Sequence, residues 1–447
     1  MSEKNMITTG RIYPALLKFT VPFLLSSLLQ NLYGTVDLLV IGNYSNAASV
    51  SAVATGSQVM SLLTFLMMGF SMGATVLIGR YIGAQQYKKV ADVIGNSVIL
   101  FTGMSMVLAG VLIVLHGTFL NWMNIPVEAV TEANTYTLIC AFGIPLIVGY
   151  NTVCSILRGI GDSQRPLYFV AVACVVNIVL DYLLAGVFHM GAAGVAIATV
   201  VAQGVSFIVG LIYIMKRGLG FEFSREDITF DFETTKSIFT ISVPLAIRSI
   251  MINFSFMLIT AIINKMGVTV SAAMGVGDKI VNFAFIPQSS FSSAIAIFVA
   301  QNMGAEQPDR AIKSTLYGMG TCVGIGVIFC IFSHIYPTVL PSIFTKDVQV
   351  QQLCGEYIRA YSYDAILTSI VFCLTSMFNG CGKSGFTVIQ DLVSTFLMRV
   401  PFTYFMSKMS GVTLFQLGLA APAASFVSIV ICVIYLKSGK WKTLSGE

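Results

Sequence analysis

Carboxylates inside long apolar stretches are the residues of this 447-residue sequence most suited to chemistry. The deepest are Asp37, Asp181 and Asp364, whereas Asp278 and Asp391 lie nearer the ends of their stretches. A charged side chain at the centre of a bilayer costs about 2.5–3.5 kcal/mol on insertion scales, so such residues usually bind an ion or a substrate. If these stretches cross a membrane, the three deep carboxylates predict where a charged ligand binds.

The first half of the chain could gather four oxygen-bearing side chains at one place. Asn177 and Asp181 are four residues apart, so a helix presents both on one face. Thr199 adds a hydroxyl in the next apolar stretch, and Asp37 lies in the first. An all-oxygen set suits a hard cation such as sodium. Two carboxylates in a low-dielectric pocket also suit a proton. We therefore predict that Asp37, Asn177, Asp181 and Thr199 form a cation-coupling site for sodium or a proton.

The alternative is that these carboxylates form structural ion pairs. In the first half only Lys18 is near, whereas the basic residues within apolar stretches of the second half are Arg248, Lys279, Arg359 and Arg399. Asp364 therefore has two interpretations: a second proton or substrate-cation site, or a partner of Arg399 or Arg359. The adjacent Asp278 and Lys279 are expected to reach the membrane interface by snorkelling.

Uncharged polar residues and one proline complete the set of candidates. Gln30, Tyr33, Asn151 and Gln203 are expected to line an aqueous substrate cavity, with interhelical hydrogen bonding as the alternative. Pro22 lies earlier in the same apolar stretch as Asp37 and is the best candidate for a hinge.

Composition requires that the elements positioning these residues lie in a membrane. The chain is 56% hydrophobic and only 10% charged, with a mean hydropathy of +0.84. Soluble domains carry about 25% charged residues, so this chain has too few to cover a water-facing surface. Stretches near the length of about 20 residues that a helix needs to cross hydrocarbon recur throughout. The ~10-residue alternating segments of a transmembrane β-barrel are missing from the sequence.

Hydropathy and breaker residues predict an all-α polytopic protein of about twelve spans. They fall near 14–41, 50–80, 90–116, 129–157, 166–186, 191–215, 237–264, 271–302, 311–335, 350–379, 386–407 and 413–436. An even number places both termini on one side, which carries seventeen lysines and arginines, whereas the opposite loops carry Lys265, Lys346 and Lys408. By the positive-inside rule, both termini are expected in the cytoplasm.

An internal repeat divides the chain into two related halves. With one constant shift in numbering, 83–86 (GAQQ) matches 304–307 (GAEQ), and Tyr136 matches Tyr357. A repeat of six spans keeps both copies in one orientation, related by a pseudo-two-fold axis along the membrane normal. The predicted organisation is a six-helix bundle over 1–215, a charged cytoplasmic linker over 216–236 and a second six-helix bundle over 237–447.

Several function classes are disfavoured by what the sequence lacks. There is no Walker motif and no nucleophile–base pair or cluster of metal ligands. We therefore expect no enzyme, no cofactor and no nucleic-acid partner. The expected partners are a small-molecule substrate and membrane lipid, and the protein is expected to be a monomer.

The chain resembles the multidrug and toxic compound extrusion (MATE) transporters over nearly its whole length. The matching motifs are Pro22 with Gln30, Tyr33 and Val36-Asp37, then 83–86, then Arg158-Gly159-x-Gly161-Asp162, Asn177-x-x-x-Asp181-Tyr182 and Gly194-x-Ala196-x-Ala198-Thr199. The resemblance implies that Asp37, Asn177, Asp181 and Thr199 bind sodium or protons, and that protonation of Asp37 bends its helix at Pro22. Gln30, Tyr33, Asn151 and Gln203 are similar to positions that face the first-half cavity.

The resemblance is incomplete in the second half. NorM-type members add an acidic pair there, and Asp364 is similar to one of its members. Asn253 stands near where that branch has glutamate, so the second half lacks the full pair. The family's substrates are typically organic cations, dyes and antibiotics.

The sequence thus predicts a secondary exporter of small, cationic or amphipathic organic compounds in the cytoplasmic (inner) membrane. Coupling is expected to be proton or sodium antiport with alternating access. The main alternative is a lipid-linked precursor flippase of related fold, which should have a cationic cleft for pyrophosphate. A channel or a receptor would not explain Asp37 and Asp181 in a duplicated scaffold as well.

Overall fold

The computed structural model describes residues 6–123, 125–409 and 411–442, and within these ranges it contains helices but no strands. Most helices present exposed apolar side chains, such as Val107, Val114 and Ile328, on one side. Ten helices are long and apolar enough to cross a membrane. The prediction of an all-α polytopic membrane protein is confirmed.

The first half contains six long helices in chain order. We number them α1 to α6, and their bounds are Ile12–Tyr44, Ala47–Gly83, Tyr87–Trp122, Val130–Ile160, Gln164–Asp181 and Gly191–Arg217. A short 3₁₀ turn, Val127–Ala129, precedes α4, and a π-helical turn, Tyr182–Val187, continues α5. α4 packs against α2, α3 and α6 and is the most buried helix of this half.

The second half repeats this order. Its helices are α7, Phe232–Asn264; α8a, Val268–Ala284; α8b, Ile286–Gly304; α9, Pro308–Ile335; and α10, Val348–Gly380. α11 consists of Ser384–Leu392, a π-helical turn Val393–Arg399 and Val400–Ser407, and α12 runs from Leu414 to Lys437 with a break near Leu419. Short helices at Met6–Thr9 and Val339–Phe344 lie outside these spans. α10 packs against α8a, α8b, α9 and α12 and is buried over most of its length.

The eighth and the eleventh of the twelve predicted spans are irregular just before a proline. The eighth span is bent by 41° between α8a and α8b, at Phe285, just before Pro287. The eleventh is broken by its π-helical turn, just before Pro401. Proline lacks the N–H that an α-helix needs and its ring clashes with the preceding turn. The other predicted spans agree with the observed helices to within about six residues at each end.

The chain forms two compact units whose boundaries fall inside helices. One unit contains Val21–Ala246, and the other contains Met1–Thr20 together with Ile247–Glu447. α1 therefore passes from one unit to the other just before Pro22, and α7 does so shortly after Pro244. The predicted division at 216–236 places the boundary outside these helices. The two predicted bundles follow the sequence repeat. In the compact units, the first residues of each repeat belong to the unit that holds most of the other repeat.

The predicted linker is held on α3. A Cβ at Gly95 would lie 1.9 Å from the carbonyl oxygen of Asp227, so only glycine permits this approach. The buried amide of Asn96 donates to the carbonyl oxygen of Asp231 at 2.7 Å and accepts from the Thr235 hydroxyl at 3.0 Å. Asp231 in turn accepts from the backbone N–H of Thr234 at 2.7 Å, which satisfies a free donor at the start of α7. Hydrogen bonds from Thr234 hold the pKa of Asp231 below its usual range.

The sequence repeat reappears as equivalent contacts. A Cβ at Gly56 would lie 2.3 Å from Cδ1 of Tyr136, and one at Gly277 would lie 2.5 Å from Cδ1 of Tyr357. Each tyrosine hydroxyl then hydrogen-bonds the residue after the glycine: Ser57 at 3.0 Å in the first half and Asp278 at 2.9 Å in the second. All these pairs are related by the same shift in numbering as the sequence repeat. The duplication therefore fixes the same glycine–tyrosine contact between helices in both halves.

Candidate functional site

The predicted coupling residues come together within the unit formed by Val21–Ala246. Asp37 lies on α1, Asn177 and Asp181 lie on the last turns of α5, and Thr199 lies on α6. The carboxyl group of Asp37 interacts with the side chains of all three. The π-helical turn begins directly after Asp181, and such turns often accompany functional sites. We call these four residues the α1–α5–α6 site.

This site is largely buried, and within the described ranges most of its oxygens and the amide nitrogen of Asn177 lack hydrogen-bond partners. Asp181 is 0% exposed, Asn177 is 1% exposed and Asp37 is 6% exposed. One oxygen of Asp37, both oxygens of Asp181 and the amide oxygen of Asn177 make no hydrogen bond in the described part of the chain. A buried polar group without a partner costs about 1–3 kcal/mol, and more if it is charged. These oxygens therefore form a set that a bound ligand with positive charge would satisfy.

No basic side chain forms an ion pair with Asp37 or Asp181 among the residues that the structure describes. The alternative of structural ion pairs is therefore not supported for these two residues. The hydroxyl of Thr199 donates to the carbonyl oxygen of Val195 at 3.0 Å, which leaves its lone pairs free to accept. Two carboxylates, an amide oxygen and a hydroxyl oxygen suit sodium, and the carboxylates also suit a proton.

The four predicted substrate residues are only partly brought together. The amide of Gln203 on α6 donates to the hydroxyl of Tyr33 on α1 at 3.2 Å. Tyr33 lies one helical turn from Asp37 and interacts with it electrostatically. Asn151 on α4 instead donates to the carbonyl oxygen of Ile147 on its own helix at 2.8 Å. Gln30 is partly exposed on α1. Of the four residues, Tyr33 and Gln203 thus lie together next to the α1–α5–α6 site.

The predicted hinge residue, Pro22, is buried in a continuous helix. The hydroxyl of Ser26 donates to the carbonyl oxygen of Pro22 at 2.8 Å. Proline removes the backbone hydrogen bond that its own N–H would make to residue 18. The helix at Pro22 therefore has a weaker backbone ladder where α1 passes from one compact unit to the other.

Asp364 forms neither of the two ion pairs that the sequence suggested. It accepts a hydrogen bond from the hydroxyl of Ser425 on α12 at 2.5 Å. Arg399 interacts with it electrostatically but does not come within ion-pair distance. Arg359 instead donates to the carbonyl oxygen of His334 at 3.4 Å. A structural pair does form elsewhere in this half, between Arg248 on α7 and Asp391 on α11.

Sequence reasoning missed a second group of polar residues near Asp364. Asp278 was expected at the membrane interface, but it lies inside the unit, where it accepts from the hydroxyl of Tyr357 at 2.9 Å. Tyr361 accepts from the guanidinium of Arg399 at 2.7 Å. We call Asp278, Tyr357, Tyr361, Asp364 and Arg399 the Arg399 cluster. The sequence repeat could have indicated this cluster, because a carboxylate, Asp278, stands where the first half has Ser57.

Comparison with known proteins places this arrangement in a family. The MatE family model matches residues 22–183 and again residues 244–405, so each half matches the same model. The chain is 25% identical to the probable multidrug resistance protein YpnP of Bacillus subtilis (strain 168), over 98% of this chain and 97% of that protein. It is 26% identical to the probable multidrug resistance protein NorM of Thermotoga maritima, over 96% and 92% of the two chains.

Solved structures share the fold. A crystal structure of MATE in complex with MaL6 has a TM-score of 0.92 and 20% identity, and the match covers 99% of each chain. A MOP superfamily transporter from Pyrococcus furiosus also has a TM-score of 0.92, with 19% identity and 99% coverage of each chain. At these identities the structural likeness concerns the fold alone.

Proposed function

This chain belongs to the MatE family, and we propose that it exports small cationic or amphipathic organic compounds by proton- or sodium-coupled antiport with alternating access. Its family consists of transporters, not enzymes, which agrees with the prediction that it is not an enzyme. The observation that carries the proposal is the α1–α5–α6 site, with buried carboxylate and amide oxygens that lack hydrogen-bond partners.

The α1–α5–α6 site provides the coupling step. A proton or sodium ion that reaches Asp37 and Asp181 neutralises one negative charge of the pair and contacts oxygens that otherwise lack hydrogen-bond partners. Because the ligands come from three helices, binding draws α1 towards α5 and α6. Asp37 and Pro22 share α1, so this movement is absorbed where the proline interrupts the backbone ladder. Cation binding at Asp37 thus changes the shape of α1.

We propose that the substrate cavity lies next to the α1–α5–α6 site. Tyr33 is bonded to Gln203 and interacts with Asp37, and Gln30 and Asn151 add polar groups on α1 and α4. A change in α1 therefore rearranges the polar groups that would contact a substrate. A separate binding position is proposed within the unit that contains Ile247–Glu447, where the buried Asp364 contacts the positively charged part of a substrate.

The available energy is adequate for export. One charge that crosses about 150 mV yields roughly 3.5 kcal/mol. At about 1.4 kcal/mol for each factor of ten, this supports a gradient of a few hundred-fold for a substrate without net charge. We propose that the chain works in the cytoplasmic (inner) membrane with both termini in the cytoplasm, because seventeen basic residues lie on that side in the predicted topology.

The test is ethidium transport by energised vesicles under separate proton and sodium gradients. We compare the unchanged protein with Asp37→Asn and Asp181→Asn, and use Asp309→Asn as the control because Asp309 is exposed at the start of α9. The rate of gradient-driven ethidium transport should fall at least tenfold in both site variants and should be unchanged in the control. The gradient that drives the unchanged protein identifies the ion.

Two results would count against the proposal. If both site variants insert normally and retain transport, their carboxylates are structural. If the unchanged protein moves no ethidium but carries a lipid pyrophosphate across the membrane, it is the flippase that the sequence left as the alternative.

A further inference from the structure

A half-buried guanidinium with unoccupied donors lies at the centre of the Arg399 cluster. All residues of this cluster belong to the unit that contains Ile247–Glu447. Nη2 of Arg399 donates to the hydroxyl of Tyr361 at 2.7 Å, and this is the hydrogen bond that the guanidinium makes in the described part of the chain. A guanidinium has five N–H donors. Most of its donors therefore remain available.

The guanidinium is fixed in place by aromatic rings rather than by a counter-ion. Its central carbon lies 4.5 Å from the centroid of the Phe256 ring and 5.9 Å from that of Tyr361. The Tyr361 ring packs against the Tyr357 ring at an angle of 38°, with their centroids 4.5 Å apart. Cation–π contacts hold a cation without consuming its N–H donors. Within the described ranges no carboxylate oxygen comes within 4.0 Å of Arg399. Its donors thus stay open and pre-positioned.

Each carboxylate of the cluster is held by its own donor. Asp278 accepts from Tyr357, and Asp364 accepts from Ser425. Both carboxylates interact electrostatically with Arg399 without bonding to it. The cluster therefore contains one open cationic group and two nearby anionic groups, with aromatic surfaces between the helices that carry them. This pattern complements a molecule that carries both charges.

The scaffold does not require these charges. At the equivalent positions of the first half, Ser57 stands for Asp278, Gly143 for Asp364 and Ile178 for Arg399. The Gly56–Tyr136 contact forms there with the neutral Ser57 as the hydrogen-bond partner. Because the same packing is achieved without charge, the ionic groups of the second half have a role beyond folding.

We propose that the Arg399 cluster binds a zwitterionic aromatic compound, whose carboxylate is held by Arg399 and whose cationic part faces Asp364 and Asp278. The aromatic body packs against Phe256 and Tyr361. This rests on the proposed export function and specifies its substrate class. A planar guanidinium can hold a carboxylate through two parallel hydrogen bonds, which a lysine cannot reproduce.

The test uses two dyes that differ in one group. Rhodamine 110 has a free carboxylate, and rhodamine 123 is its methyl ester, so both share the cationic aromatic body. Binding to purified full-length protein is measured by fluorescence polarisation. The unchanged protein should bind rhodamine 110 about tenfold or more tightly than rhodamine 123, as expected for a charge-assisted pair. Arg399→Gln should abolish this preference and leave the affinity for the ester within about threefold.

Two further variants guard against a folding artefact. Arg399→Lys keeps the charge and should keep part of the preference, whereas Arg359→Gln removes a partly buried arginine outside the cluster and should keep all of it. The proposal is wrong if the unchanged protein binds the two dyes equally, or if Arg399→Gln leaves their affinity ratio unchanged.

The binding measurement and the efflux measurement test the two proposals independently. If the acid is preferred but no gradient drives efflux of either dye, the Arg399 cluster stands and the export function is wrong. If ethidium efflux is gradient-driven but the acid is not preferred, the export function stands and the assignment of Arg399 is wrong.

Discussion

At the scale of single residues, the two halves differ most where the sequence repeat places a charge in only one of them. Tyr136 and Tyr357 occupy equivalent positions and pack against equivalent glycines, but their hydroxyls meet a serine in one half and a carboxylate in the other. The two halves therefore share the glycine–tyrosine packing, but they differ in the side chain that accepts or shares the tyrosine hydrogen bond.

The glycine that faces Tyr357 gives a residue-scale prediction. Gly277→Ala places a methyl group 2.5 Å from Cδ1 of the buried Tyr357 ring, which must shift and disturb its bond to Asp278. Overpacking of this kind costs about 1–3 kcal/mol, which exceeds the gain of up to about 1 kcal/mol from replacing a helical glycine. The melting temperature in detergent should therefore fall.

Gly275 provides the matched control on the same helix. Its Cβ position has nothing within 4 Å, so Gly275→Ala should leave the melting temperature unchanged or raise it. Equal melting temperatures for the two alanine variants would contradict the contact between Gly277 and Tyr357.

At the scale of helices, the prolines of α1 and α7 lie next to the points where these helices change unit. Pro22 and Pro244 are equivalent in the repeat to within a single position, and each lies close to a unit boundary. A missing backbone hydrogen bond at each point makes these positions the least costly places for the helices to bend. The repeat has therefore placed an equivalent weak point in both shared helices.

Replacing Pro22 tests whether bending of α1 is needed. Pro22→Ala restores an N–H and a full backbone ladder, so the melting temperature should rise while ethidium efflux falls severalfold. Pro308→Ala is the control, because Pro308 lies in the first turn of α9, where proline costs little. Efflux that stays normal in Pro22→Ala would remove Pro22 from the mechanism.

At the scale of the whole molecule, the proposed coupling site lies in the first half, whereas the Arg399 cluster lies in the second half. Asp37 and Asp181 have no basic partner among the described residues, whereas Asp364 lies beside the fixed charge of Arg399. At Asp364 the positive charge of Arg399 already offsets part of the carboxylate's charge, whereas no basic side chain of the described residues does so at Asp37. The coupling ion is therefore expected to use the first half.

This asymmetry predicts different effects for two aspartates. Asp364→Asn should weaken the apparent affinity for ethidium by about tenfold, since a contact to its positive charge is lost, and should still allow gradient-driven efflux at high dye concentration. Asp37→Asn should lose the gradient dependence at every concentration. The measurement is initial efflux rate against dye concentration. If Asp364→Asn also uncouples transport, the second half contains a coupling residue.

The sequence predicted the helices well because each depends on local composition and length. Span ends, the repeat and the shared helix face of Asn177 and Asp181 were visible from the sequence, and the resemblance to the MATE transporters added Asp37 and Thr199 to that pair. The surroundings of Asp278 and Arg399 could not be predicted from the sequence. They depend on which face of α8a meets α10 and on how the π-helical turn of α11 orients its last residue, Arg399. The exchange of helix segments between units was also hidden, because hydropathy records where a helix runs but not what it packs against.

The split composition of the unit that contains Ile247–Glu447 has a consequence for biogenesis. Leu16 and Phe19 of its first segment leave the ribosome long before their packing partners, Gly318 and Phe298, are synthesised. That segment must wait in the membrane without them. A chain cut between the halves would carry this orphan segment and would deprive the second fragment of it, so the fragments can complete their packing only when both are present.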